Sequence, residues 1–287
     1  MQKPNLTAAT VVCAALLTGG ACVDNATYPA EQTYLPSTHW NAGLGCVPNL
    51  DGRLDAHEVK PALGVVARYR VASNRSVDQA GTVAASGVRV WDWGWSAAAE
   101  QTLQVAAVPL DAQWYAAHFG PGATAAVLFA VPFDADGTLD AVYRHDAAGV
   151  WLLGMASRDV APAAGQTLLV YADAVQVLKL PLQVKDSWTA KGVLSKAKLY
   201  GLPYAATDVY TFAADAAGVM QLPDISVDQA IRVRTKVQTT AIAGKPIERV
   251  QTQFFFECLG EVARAVPEAK QTDPDFSLAA EIRRLAL

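Results

Sequence analysis

The chain has 287 residues and a formal charge of −4; 52% of its residues are hydrophobic, but 54 of these are alanine. About a third of the chain remains apolar without them, enough for a core but not for a membrane-buried protein. Charged residues make up 17% with an acidic balance, which excludes a basic nucleic-acid binder and a highly charged disordered chain.

The N-terminus reads MQKPNLTAATVVCAALLTGGAC, with Lys3 ahead of an apolar stretch from Leu6 to Leu17. This is the layout of a secretory signal peptide over 1–21, and it is too short for a membrane span. The run Thr18-Gly19-Gly20-Ala21 before Cys22 resembles a bacterial lipobox, whose cysteine is acylated and becomes the first mature residue. Gly19 stands where leucine is usual, and with Ala21 it equally suits plain signal-peptidase cleavage. The expectation is a lipid on Cys22, a tether over 22–45 and an address in the cell envelope, as an outer-membrane lipoprotein or a periplasmic protein. Cys13 leaves with the signal peptide. Cys46 and Cys258 then remain as a pair in an oxidising compartment, and a disulfide between them is predicted.

VPNLDGRLDAHE at 47–58 resembles the calcium loop of an EF-hand or dockerin repeat. Asn49, Asp51, Asp55 and Glu58 fall at oxygen-ligand positions, and Gly52 falls at the sharp bend. Val47 stands where the first carboxylate belongs, so a metal-free turn is the competing reading. Next, VRVWDWGWS at 88–96 places Trp91, Trp93 and Trp95 on one face of a strand. Three indoles in a row fit either a stacking platform for sugar rings or a core ladder under another layer. Asp111 to Phe119 reads as a short helix stopped by Gly120-Pro121. Asp134–Gly137, Asp146–Gly149 and Asp215–Gly218 read as hairpin turns.

Residues 22–175 carry eight basic and fifteen acidic groups, and residues 176–266 carry eleven and eight. The sign change near 175 suggests an acidic β-rich region at 46–175 and a basic antiparallel sheet at 176–266. In the second region Ile231, Val233, Thr235 and Val237 alternate with Arg232, Arg234, Lys236 and Gln238. Val250, Thr252, Phe254 and Phe256 alternate likewise after a Gly244–Pro246 turn, which predicts a hairpin. Lys196, Lys198, Arg232, Arg234, Lys236 and Arg249 then form a candidate anion patch, or an ordinary solvated strand face. The tail 267–287 places Leu278, Ile282 and Leu285 on one helical face, so a C-terminal helix docked on the sheet is predicted.

No HExxH, GxSxG, Walker loop or dinucleotide fingerprint occurs, and the four histidines His39, His57, His118 and His145 have no adjacent nucleophile. A non-enzymatic protein without a cofactor, calcium aside, is expected.

The lipobox-like start, CVPNLDGRLDAHEV, VRVWDWGW, the 180–204 stretch from LPLQVKDSW to GLPY, and FFFECLGEVARA at 254–265 together resemble a group of uncharacterised secreted bacterial lipoproteins. The similarity runs along most of the mature chain and implies an address without a mechanism. The C-terminal half, opening on PLQVKDSW, also looks like the curved half-barrels that ferry lipids or lipoproteins across the periplasm.

The fold expected is mainly β, an antiparallel sandwich or curved half-barrel sheets with a short C-terminal helix. The function expected is a lipid-anchored envelope protein with a binding or structural role. Its partners are the membrane, through the N-terminal lipid, and an envelope protein, lipid or polysaccharide. The alternatives are a lipid or lipoprotein carrier, its apolar cavity lined by Phe254, Phe256 and Ile231, and a glycan- or calcium-binding module.

Overall fold

Period-2 alternation runs through almost every segment of the computed structural model, which describes residues 45–287 apart from 98, 121–125 and 135. The predicted signal peptide, Cys22 and the tether up to residue 44 lie outside the described residues. In chain order the strands are β1 (Arg53–Leu54), β2 (Val66–Ser76), β3 (Thr82–Val83), β4 (Arg89–Asp92), β5 (Gln101–Ala106) and β6 (Val108–Pro109). There follow β7 (Val127–Pro132), β8 (Leu139–Asp146), β9 (Gly149–Ser157), β10 (Leu168–Lys179), β11 (Leu182–Gln183) and β12 (Ser187–Leu199). The chain ends with β13 (Leu202–Gln221), β14 (Ser226–Ala241), β15 (Ile247–Phe256), β16 (Gly260–Pro267) and β17 (Leu278–Ala286).

One sheet contains nearly all of them, in the order β5-β2-β17-β16-β15-β14-β13-β12-β10-β9-β8-β7-β6. Its two outermost strands, β5 and β6, are separated along the chain by a single residue, Ala107. Edges joined by one residue cannot lie apart, so the sheet curls until it is nearly closed. Across the seam, Arg283 Nη2 donates to the Phe133 carbonyl at 3.3 Å. The small β1–β11 sheet pairs Leu54 with Leu182, and both side chains are buried.

Curling gives the two faces different work. On the concave face, Leu54, Leu152, Val175, Leu182, Leu194, Phe212, Ile231, Val233 and Phe255 make one core. The convex face is covered in two places by excursions of the chain. Around residues 77–97, Trp91, Trp93 and Val77 pack on Phe254, Val262, Ile282 and Met220. Around 110–119, Leu110 and Tyr115 pack on Ala130, Val142 and Ala156. Phe254 and Phe255 are therefore both buried, on opposite faces.

The C-terminal segment is a strand where a helix is predicted. β17 pairs with β16 on one side and with β2 on the other, from Leu278↔Ser76 to Ala286↔Arg68. Two ladders outweigh the helical propensity of LAAEIRRLA. Because Ile282, Arg283, Arg284 and Leu285 are all buried, the period of two is hidden. The predicted helix at 111–119 is reduced to two 3₁₀ turns, Leu110–Ala112 and Ala116–His118, neither with a side-chain cap. They sit where Tyr115 and Trp114 must reach the sheet: Tyr115 OH donates to Asp140 at 2.8 Å, and Trp114 Nε1 to the Ser157 carbonyl at 3.0 Å.

Turns are predicted correctly at Asp134–Gly137 and Asp146–Gly149, where Asp134 accepts from the Thr138 amide and Asp146 from that of Ala148. At Asp215–Gly218 there is no turn, because β13 runs straight through. The ladder to β14 shifts register there between Ala214 and Ala216, a β-bulge that frees Asp215 for two arginines. The charge boundary at 175 falls inside β10, within the single unit Leu44–Leu287.

Cys46 and Cys258 are joined, with Cα atoms 5.4 Å apart and a separation of 212 positions in sequence. The bond ties the start of the described chain to the β15–β16 turn. In the chain-entropy description a loop of this size is worth about 5 kcal/mol as an upper bound. Cys258→Ala should therefore lower the unfolding free energy by about 3–5 kcal/mol in a urea titration. Denatured but unreduced wild type should show no free thiol at either position.

Candidate functional site

Segment 46–60 forms a lid over one end of the curled sheet. Leu54 is its plug, held by the β1–β11 pairing and by the disulfide. The lid also closes on Glu257, whose Oε2 accepts from the Asn49 and Leu50 amides at 2.6 and 2.9 Å. Most oxygens of the predicted calcium loop are turned to the chain's own donors, while Glu58 Oε1 is buried without a hydrogen-bond partner. Asn49 Oδ1 accepts from the Asp51 amide and Asp51 Oδ1 from the Arg53 amide, each at 2.9 Å. Asp55 Oδ1 is held by Arg53 Nη2 at 2.7 Å, and Glu58 Oε2 takes the Asp55 amide at 2.7 Å. These are Asx and capping geometries. Among the described residues no three His, Cys, Asp or Glu side chains converge as a metal site. The missing acid at Val47 thus goes with a lid rather than a coordination loop.

The indole platform is core. Trp91 and Trp93 are 0% and 1% exposed and meet the Phe254 ring edge-on at centroid distances of 4.8 and 5.1 Å. Their Nε1 atoms donate to the Gln79 and Asp78 carbonyls. Trp95 is stacked 3.7 Å from the Arg284 guanidinium. No indole face of Trp91 or Trp93 is left for a sugar, because the ladder's face is spent on β15.

The six cations do not make a patch. Arg232 lies under the 77–97 excursion and makes a two-pronged pair with Asp215, at 2.8 and 3.1 Å. Arg234 contacts Asp215 at 2.8 Å and Asp275 at 2.5 Å. Lys236 is paired with Glu248 at 2.9 Å. Arg249 pairs with Val237 in the ladder and so projects from the opposite, concave face. Lys196 and Lys198 stand at the far end of β12, beside the β12–β13 turn. Neutralised partners, two faces and two ends divide what the sequence groups.

Residues that sequence reasoning missed gather on the concave face. Tyr171 donates to Asp208 Oδ2 at 2.6 Å and lies 3.0 Å from the Tyr210 hydroxyl. Gly192 makes room for this: a Cβ there would fall 2.5 Å from the Tyr171 ring. Burial, the neighbouring phenol and Asp208 raise the Tyr171 phenol far above its ordinary range. Asp208 Oδ1 is buried without a partner. On the facing wall Arg264 Nη2 donates to Glu261 Oε2 at 2.8 Å, and Gln253 joins the same oxygen. Burial pulls the Arg264 guanidinium down, but Glu261 outweighs it and holds it raised. Tyr143 of β8 feels Arg264, Glu261 and Arg283 of β16 and β17, strands that meet β8 only across the concavity. Toward the end away from the lid the concave side chains become exposed, Arg249 among them.

The raised phenols stay neutral near neutral pH, so Tyr171 and Tyr210 present hydroxyl groups to the concavity. The signal that would have found it is Gln251 and Gln253 alternating with Thr252 and Phe254. Read as a solvated face, it is the inner one. No family model, curated protein or solved structure matches the chain.

His145 also faces inward, beside the lid. Burial lowers its pKa from the ordinary 6.5, against smaller raising effects from the Ala56 backbone and Asp146. The unfolded chain therefore takes up this proton first, and stability is lost as pH falls below about 6.5. His145→Gln should flatten the melting temperature against pH in that window, read as the difference from wild type. Trp91→Ala should cost about 3–5 kcal/mol. Wild-type tryptophan emission should not move when soluble polysaccharide is titrated in.

Proposed function

We propose that this chain is an exported cell-envelope protein, lipid-anchored through Cys22, that binds or supports another envelope component without catalysing a reaction. The observation that carries the reading is the Cys46–Cys258 pair, within bonding reach at the junction of the lid and the β15–β16 turn. A stapled pair separated by nearly the whole mature chain suits an oxidising compartment, where such bonds persist. The signal-peptide layout before Cys22 and the resemblance to secreted lipoproteins point the same way.

A carrier of amphiphiles is the second reading. It does not have the lining first expected, since Phe254 and Phe256 lie under the convex cover and only Ile231 is on the concave side. In its favour is a concave face that is apolar near the lid, with Val175, Leu178, Trp188 and Phe212, and polar beyond it.

Native mass spectrometry of the protein purified from its own membranes tests both. The expected species begins at acylated Cys22 and carries the disulfide; a co-purified lipid would favour the carrier. A chain that retains Met1, or free thiols at Cys46 and Cys258, would sink the export reading. Cys22→Ser should move the protein from the membrane fraction into the salt-extractable one.

A further inference from the structure

Alternate turns of an antiparallel meander fall at one end of the sheet, and here that end is opposite the lid. Three of these turns are neighbours: β9–β10, β12–β13 and β14–β15. The Gly201 amide donates to the Gln166 carbonyl at 2.8 Å, the Tyr200 amide to Thr167 Oγ1 at 3.2 Å, and the Ile242 amide to the Ala205 carbonyl at 3.1 Å. From this contiguous edge large apolar side chains point into solvent. Ile242 is 86% exposed, Leu202 69% and Tyr200 58%, and Val160 and Ile247 are also exposed.

Tyr200 and Gly201 form a two-residue hairpin turn, with φ of 50° and 78°. The positive φ suits glycine or asparagine and is unfavourable for an aromatic residue. The Tyr200 side chain there is more exposed than buried. Strain of this kind at an exposed tip points to a use outside the fold.

Charge separates this edge from other exposed apolar residues. Lys196, Lys198 and Lys245 stand among its side chains, exposed, and form no ion pair among the described residues. Lys196 and Ile242 line one shallow depression of about 470 Å³. Of the acids nearby, Glu248 is paired with Lys236, Asp159 accepts from the Ala161 amide, and Asp173 is exposed on β10, so the lysines outnumber the unpaired acids of the edge. At the lid end, by contrast, exposed Leu50 lies beside Asp51 and shares a groove with Asp228.

We propose that the edge formed by the β9–β10, β12–β13 and β14–β15 turns docks on an anionic phospholipid bilayer. Tyr200, Leu202 and Ile242 enter the interface while Lys196, Lys198 and Lys245 meet the headgroups. Apolar side chains in the interface and lysines at its surface are the pairing that holds peripheral proteins on charged lipid. This surface is independent of the acyl group and goes beyond the anchor proposed above.

The test uses the chain with Cys22→Ser, so that no acyl lipid contributes, and sedimentation with vesicles. Binding is expected to phosphatidylethanolamine vesicles containing phosphatidylglycerol, weakening with salt, and not to pure phosphatidylcholine. Leu202→Asp combined with Ile242→Asp should weaken it by more than about tenfold, and each of Lys196→Ser and Lys198→Ser by about fivefold. All of these positions are exposed, so melting temperatures should match that of the parent chain and confirm that each variant is folded. Absence of binding to the anionic vesicles, or undiminished binding by the folded Leu202→Asp, Ile242→Asp chain, overturns the proposal. A lipid-free dimer abolished by the same pair of substitutions assigns the edge to a second copy, and overturns it equally.

Discussion

Curling one antiparallel sheet until its first and last strands meet at Ala107 brings side chains from distant strands onto a common concave face. Tyr143 of β8 and Arg264 of β16 are far apart along the ladder, yet they share one environment. The same curvature leaves a convex face that three buried strands, β15 to β17, cannot expose to water. The excursion at 77–97 supplies the cover and brings Trp91 and Trp93 with it. Lid, cover and inner wall are thus three answers to one geometrical demand.

Arginine and tryptophan meet the hardest part of that demand together. Arg232 and Arg284 are buried on the covered convex face, Arg284 at 0% exposure. Burial, with help from Arg70 and Arg75, pulls the Arg284 pKa down to about 10, so it stays charged at neutral pH. Its guanidinium reaches the Trp93 and Trp95 carbonyls and Glu100, and lies over the Trp95 ring. Arg232 holds Asp215 in two prongs and the Gln79 carbonyl. A planar fork with a flat face can do both things at once; a lysine ammonium cannot. The excursion is fixed in register by these contacts as much as by indole packing.

How far the fold was legible depended on whether a strand had one buried face or two. Strands β14 and β15 announced themselves by alternation, and the hairpin between them lies where it was read. So do the disulfide and the turns at Asp134 and Asp146. The tail was misread because both faces of β17 are covered, so its sequence alternates nothing. The arginines of β14 looked like a solvated stripe because the acids that neutralise them come from β13 and from Asp275, beyond any local window. The inner polar wall was illegible for a related reason. Its members, Tyr143, Asp208, Tyr210, Arg264 and Arg283, sit on four strands and acquire a common meaning only when the sheet curls. Chemistry written in one segment, such as the 47–58 motif, was easy to see and proved to be a lid.

The position of β17 has a consequence in time. Its nine residues are the last of the described strands in chain order, yet they lie third from an edge, between β2 and β16. β2 is made about two hundred residues earlier, and at ordinary elongation rates it waits on the order of tens of seconds for its neighbour. Until then its ladder to β17 cannot form and the curl cannot close. β17 therefore acts as a latch: the curl closes only once it has taken its place between β2 and β16.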